Sequence, residues 1–322
     1  MRRHSIESGT EHRAVVVRRK TGWRFIVAAI IATVAIGTYN TIMIGLAHRY
    51  DDRQQRDPRT DALRGAEDFE FGPRDADNAV VLVHGFLGAS NNFNELPQRL
   101  AAAGYRVRGL RLPGHGTTPF DLEKTGPSEE LNFILGEVRL LKQRHKKVFL
   151  VGHSMGGALS VLAATSPDVD GLVLAGPHFR VTHRWFYGLP IETWNALTGW
   201  AVRWVYKSDA FIQVDRPEAK REIVSYRYVP AKAVALIDHF AALARDPVTL
   251  GMVECPVLML HGKNDLAASP DAAEKAFNSM ASKDKKLVLL DRSNHHIFWD
   301  YDREQVYTEI LDFLAAKSVG TN

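Results

Sequence analysis

The sequence predicts an α/β fold: a mostly parallel sheet flanked by helices, interrupted by a helical insertion and preceded by one long apolar helix. Three observations predict it. From residue 79 onward, short continuous apolar runs alternate with helix-patterned stretches. Glycine-bearing loops with polar side chains follow those runs. Near the start, twenty-two consecutive residues carry no charge. A composition of 45% hydrophobic and 24% charged residues is that of an ordinary globular chain.

The first segment, residues 1–24, holds seven Lys or Arg against only Glu7 and Glu11. Without it the formal charge of +4 all but vanishes, so the basic balance gives no reason to expect a nucleic-acid partner. "FIVAAIIATVAIGTYNTIMIGL", residues 25–46, follows. As a helix it measures about 33 Å, enough to cross a hydrocarbon core. It has no polar face, and a basic flank and Trp23 precede it. Gly45-Leu46-Ala47 fits a small-x-small cleavage site, but the run is longer than a usual signal core. An uncleaved transmembrane anchor is therefore expected, with 1–24 as a basic cytoplasmic tail and the large domain outside a bacterial inner membrane. Five Lys/Arg between residues 47 and 66 keep the charge asymmetry behind that orientation modest. The single Cys255 excludes an intramolecular disulfide.

Residues 47–65 are charged and poor in large apolar groups, which predicts a linker. The core is expected over 66–177 and 249–322. Its strands are read at 79–83, 105–110, 147–151, 171–176, 256–262 and 286–290. Helices are read at 93–103, 128–145, 155–165, 270–281 and 302–316. Strands alternating with helices imply parallel pairing with right-handed crossovers. Residues 178–248 lack strand runs and contain Trp185, Trp194, Trp200 and Trp204, which predicts an aromatic helical lid.

Ligands of open α/β sheets collect at the carboxyl ends of the strands. There the sequence presents Ser154 in "GHSMG", Asp265 in "KND", and His295 and His296 in "DRSNHH". "GHSMG", between a predicted strand and helix, fits the G-x-S-x-G turn that holds a nucleophile up to its substrate. A serine hydroxyl needs an imidazole base, itself oriented by a carboxylate. Asp265 is the best orienter, since Asp170 precedes its strand; the residue pattern leaves His295 and His296 open. An oxyanion would be met by the backbone N–H groups of Met155 and Phe86. No His/Cys cluster implies a metal, and no phosphate-binding motif implies a nucleotide cofactor. His84, His115 and His153 read as bracing residues.

"VVLVHGFLG", "LPGHG", "VGHSMGG", "HGKND" and "SNHHIFWD" together resemble the α/β-hydrolase superfamily, in particular its bacterial carboxylesterases and monoacylglycerol lipases. The resemblance covers residues 66–316. It implies an α/β-hydrolase fold with a lid inserted after the third strand-helix unit beyond the oxyanion loop, and initial strands abbreviated to what 66–76 can form. It implies Ser154 as nucleophile, Asp265 as acid and His295 as base. His295 is preferred because the family's segment reads Ser-Gly-His where this chain has Ser293-Asn294-His295, with Asn replacing Gly. The implied activity is hydrolysis of carboxylic esters with apolar acyl groups, through an acyl-enzyme, on a small-molecule or lipid ester. The same triad also serves thioesterases, amidases and C–C bond hydrolases. A non-catalytic, ligand-binding relative is the alternative of another class.

Overall fold

The computed structural model describes residues 8–183 and 188–319. Residues 1–7 of the basic tail, and Trp185 of the insertion, lie outside the described residues. A helix α1 (Ser8–Asp51) leads into a short strand β1 (Phe69–Phe71). Then come β2 (Asn78–Val83), α2 (Leu96–Ala102), β3 (Arg106–Gly109), α3 (Pro119–Lys124) and α4 (Pro127–Lys142). They are followed by β4 (Lys147–His153), α5 (Met155–Ala163) and β5 (Gly171–Ala175). The insertion contributes α6 (Ile191–Thr198), β6 (Trp204–Tyr206), β7 (Tyr228–Pro230), α7 (Ala231–Ala244) and α8 (Pro247–Gly251). The core resumes with β8 (Val257–Gly262), α9 (Pro270–Ser279), β9 (Lys285–Leu290) and α10 (Arg303–Ser318).

Seven strands pair in the order β1-β3-β2-β4-β5-β8-β9. β1 is antiparallel to β3, and every other pair is parallel. Alternation along each strand divides the core in two. Val81 and Val83 of β2 face Ile134 and Val138 of α4, with Leu159 of α5 and Phe240 of α7 in the same cluster. Val80 and Leu82 face Leu96 and Leu100 of α2, with Tyr307, Ile310 and Leu314 of α10. Both faces of the central strands are therefore dry, which explains why their sequences are continuous apolar runs.

Three expectations need correction. Residues 47–51 continue α1 instead of opening a linker, because Ala47 is fully buried beside Met43 and Trp204. The stretch that follows is packed as well, since Leu63 and Ala66 are buried against Tyr226 and Val229. The insertion is not purely helical: β6 and β7 form a two-stranded antiparallel ladder. Strands of three residues, separated by over twenty, are too short to register as apolar runs. Finally, the helix read from residue 93 starts at Leu96, after a tight turn at Ser90–Phe93.

The helix Trp23–Asp51 is long and apolar enough to cross a membrane. Phe25, Ile30, Ile31 and Val34 on it are exposed. Its last turns instead grip the insertion. The Tyr39 hydroxyl donates to the Trp204 carbonyl at 3.0 Å. Asn40 donates to the Ala201 carbonyl at 2.8 Å and accepts from the Arg203 N–H at 3.0 Å.

Candidate active site

Ser154 stands where β4 ends and α5 begins, at φ +56° and ψ −119°. A left-handed φ is strained for a residue with a side chain, and strain of that kind collects at functional turns. The neighbours make the turn possible. A Cβ on Gly156 would strike the Val83 carbonyl, and one on Gly152 would strike the Gly156 carbonyl. Only hydrogen fits at either position.

The structure brings Ser154, His295 and Asp265 into one hydrogen-bonded chain. The Ser154 hydroxyl lies 2.8 Å from His295 Nε2, and His295 Nδ1 lies 2.8 Å from Asp265 Oδ2. With Nδ1–H donating to the carboxylate, Nε2 is left to accept the serine proton. All three are buried, at 6%, 6% and 2% exposure. His296 makes no such contact. It is half-buried against the His153 ring with an unpartnered Nδ1, and desolvation of the ring, with His153 adding to it, drives its pKa well below the ordinary value.

Asp265 is held from every side. Its Oδ1 accepts the N–H groups of Ala267 and Ala268, each at 2.8 Å. Its Oδ2 faces His261 Nε2 at 3.2 Å as well as His295. Burial would raise the carboxyl pKa, but the histidine contacts outweigh it and hold the group far below the usual carboxylate range. His295 is placed by its backbone: the Gln213 carbonyl of the insertion accepts from both the His295 and His296 N–H groups, each at 3.1 Å. Asn294 Oδ1 accepts from the N–H of Leu266 and of His295, both at 3.0 Å. Asp300, fully buried, accepts from the N–H groups of Asn294, Asp215, Arg216 and Tyr301. His261, Asn294, Gln213 and Asp300 are thus site residues that sequence reasoning missed. For His261, Asn294 and Asp300 the signal was present, since all three fall inside motifs already singled out; Gln213 acts through a carbonyl, which leaves no trace in a sequence.

Phe86 and Met155 flank the serine, and no protein acceptor takes either backbone N–H among the described residues. The Phe86 loop is braced from behind. Asn92 Oδ1 accepts from the Gly85 N–H at 3.1 Å, and His84 Nε2 accepts from the Leu112 N–H at 3.1 Å. His153 donates from Nε2 to the His295 carbonyl at 3.1 Å. Burial, reinforced by His295, lowers its pKa to about 3, so it is neutral and structural at ordinary pH. In front of Ser154 opens a cavity of about 330 Å³ lined by Phe86, Leu87, Val181, Phe211, Ile237 and Leu266, among others. Among the described residues no group of three potential metal ligands occurs.

Comparison with known proteins now adds the family. Residues 74–302 match the family model described as serine aminopeptidase S33. The chain belongs to this α/β-hydrolase family and is a serine ester hydrolase. It is 30% identical to a thermostable monoacylglycerol lipase from Bacillus sp. (strain H-257), over 79% of this chain and 96% of that protein. It is 24% identical to a carboxylesterase of Bacillus subtilis (strain 168), over 76% of this chain and 95% of that one. Among solved structures, a metagenome-derived lipolytic enzyme superimposes with a TM-score of 0.70 at 28% identity, covering 79% of this chain and 99% of its own.

Proposed function

We propose that Ser154 is the nucleophile, His295 the general base and Asp265 the residue that fixes and stabilises the imidazole. The observation that carries this is the 2.8 Å contact on each side of His295, beneath an apolar cavity. His295 Nε2 takes the serine proton as Ser154 Oγ attacks the ester carbonyl. The Phe86 and Met155 N–H groups, free of other acceptors, receive the oxyanion. Collapse releases the alcohol, which takes the proton from His295 and leaves an acyl-enzyme. Water, deprotonated by the same imidazole, then frees the acid. The cavity's apolar walls suit a fatty acyl chain, and we read α1 as a membrane anchor that keeps the domain beside a source of such esters.

The test uses the full-length protein in detergent micelles, because the last turns of α1 are part of the folded domain. It should hydrolyse p-nitrophenyl esters and be labelled by a fluorophosphonate. Ser154→Ala should abolish labelling and cut turnover by on the order of 10⁴-fold or more. A folded wild-type sample that takes no label would sink the proposal.

A further inference from the structure

The cavity in front of Ser154 is apolar except for a few groups, and one of these is a cation. Lys207 follows β6, where its N–H donates to the Arg227 carbonyl at 2.7 Å. Its Nζ donates to the Ser225 hydroxyl at 2.9 Å, and both residues line the cavity that Ser154 and His295 also line. That hydroxyl accounts for one of the three ammonium donors. Among the described residues no carboxylate lies within 4.0 Å of the Nζ. Asp209, the acid that acts on it electrostatically, is paired with Arg227 at 2.7 Å. Asp238, the acid that lines the cavity, lies on α7 and interacts electrostatically with Glu192 and Arg245. Burial, with Arg227 adding to it, lowers the Lys207 pKa to about 8, so the amine is still mostly cationic at neutral pH.

A structural lysine in a wall like this would be expected to reach solvent or meet a carboxylate, because an unpaired charge in apolar surroundings is costly. Lys207, half-buried, meets no carboxylate among the described residues and holds its ammonium on the Ser225 hydroxyl in the wall of the reaction cavity. Such a pair suits an anionic oxygen group entering with the substrate: ammonium to phosphate oxygen is a charge-assisted bond, and Ser225 can donate a second. Nearby Val205, Phe211 and Val224 offer the apolar surface that a chain on the same molecule needs.

We propose that Lys207, with Ser225, is a specificity-determining site for a phosphate group on the ester substrate, so that the preferred substrates are monoacyl lipids carrying a phosphate on the alcohol side. The proposal rests on the ester-hydrolase reading of Ser154. It separates lysophospholipid-type esters from neutral monoacylglycerols, which have the same chain and glycerol but nothing for the ammonium to bind.

The experiment compares kcat/KM for 1-oleoyl-lysophosphatidate and 1-oleoylglycerol, using full-length protein in neutral detergent micelles. Wild type should favour the phosphate-bearing ester. Lys207→Met should lower the ratio of the two kcat/KM values by roughly 10- to 100-fold, the range of a charge-assisted hydrogen bond. Lys207→Arg should recover much of it. A ratio taken within one sample is unaffected by the fraction that folds. An unchanged ratio in Lys207→Met, or a wild-type preference for the neutral ester, overturns the proposal. A second measurement needs no variant: octyl phosphate should protect Ser154 from a fluorophosphonate at roughly tenfold lower concentration than octanol does. Equal potency also overturns it. Failure of wild type to hydrolyse any p-nitrophenyl ester would instead overturn the underlying ester-hydrolase reading.

Discussion

Asp265 and Glu130 are buried to nearly the same degree, at 2% and 0% exposure, yet their surroundings drive them in opposite directions. Asp265 accepts two backbone N–H groups and faces two histidines. Glu130, on α4 behind the His84 loop, has no hydrogen-bond partner on either oxygen. His115 Nδ1 approaches it only to 3.6 Å and already meets the Pro113 carbonyl at 3.1 Å. Burial, with Glu129 adding to it, pushes the Glu130 pKa up to about 8. Burial acts on both acids alike; the donors aimed at the oxygens decide whether the charge survives. A hydrolase needs one such carboxylate charged beside its imidazole, and here His295 and His261 supply the donors, with the backbone of the 265–268 turn on the other oxygen.

Removing the Asp265 carboxylate should have the larger consequence. Asp265→Ala should reduce kcat on the order of 10³- to 10⁴-fold while fluorophosphonate labelling slows in parallel, since the imidazole loses its tautomer and orientation. A loss of less than tenfold would mean that His295 is positioned by something else. The stability that Asp265 contributes is present above its unfolded pKa of about 3.9 and is lost as pH falls towards the much lower folded value.

Glu130 carries the opposite sign. Its folded pKa of about 8 exceeds the unfolded value, so the folded chain holds the extra proton between roughly pH 4.3 and 8. Stability should therefore fall as pH rises through that window, by up to about 1.4 kcal/mol per pH unit. Glu130→Gln should flatten that slope in urea unfolding followed from pH 5 to 9. An unaltered slope would show that the carboxyl finds a donor after all. The control is the exposed neighbour Glu129, which caps α4 by accepting the Gly126 N–H at 2.9 Å. Glu129→Gln keeps an acceptor there and should change stability at pH 5 by less than about 0.5 kcal/mol.

The inner parallel strands β2, β4, β5 and β8 were legible because burial on both faces keeps their middles apolar; Val80 to Val83 is an unbroken instance. Ser154, Asp265 and the His295–His296 pair were legible because parallel topology delivers strand ends to one edge, where few residue types can do chemistry; the family resemblance was needed to choose His295. The difference between Asp265 and Glu130 was not. Both are acids near apolar neighbours, and what distinguishes them is the two histidines and two backbone N–H groups aimed at Asp265, an arrangement composition does not encode. The insertion was the least legible region. Its links to the core run through the Gln213 carbonyl and the Asp300 carboxylate, and its short β6–β7 ladder has no run long enough to read. Lys207 illustrates the same limit: a single lysine among aromatic residues gains meaning only once Ser225 and the cavity are seen beside it.

Ala47 has a consequence for the life history of the chain. It closes the Gly45-Leu46-Ala47 triplet that a leader protease could read, yet it is fully buried within α1 and packed beside Trp204. A protease needs that peptide bond extended and bare, and the finished fold offers it wound and covered. In the finished fold Tyr39 and Asn40 bind that helix to the insertion, so the two pack as one body.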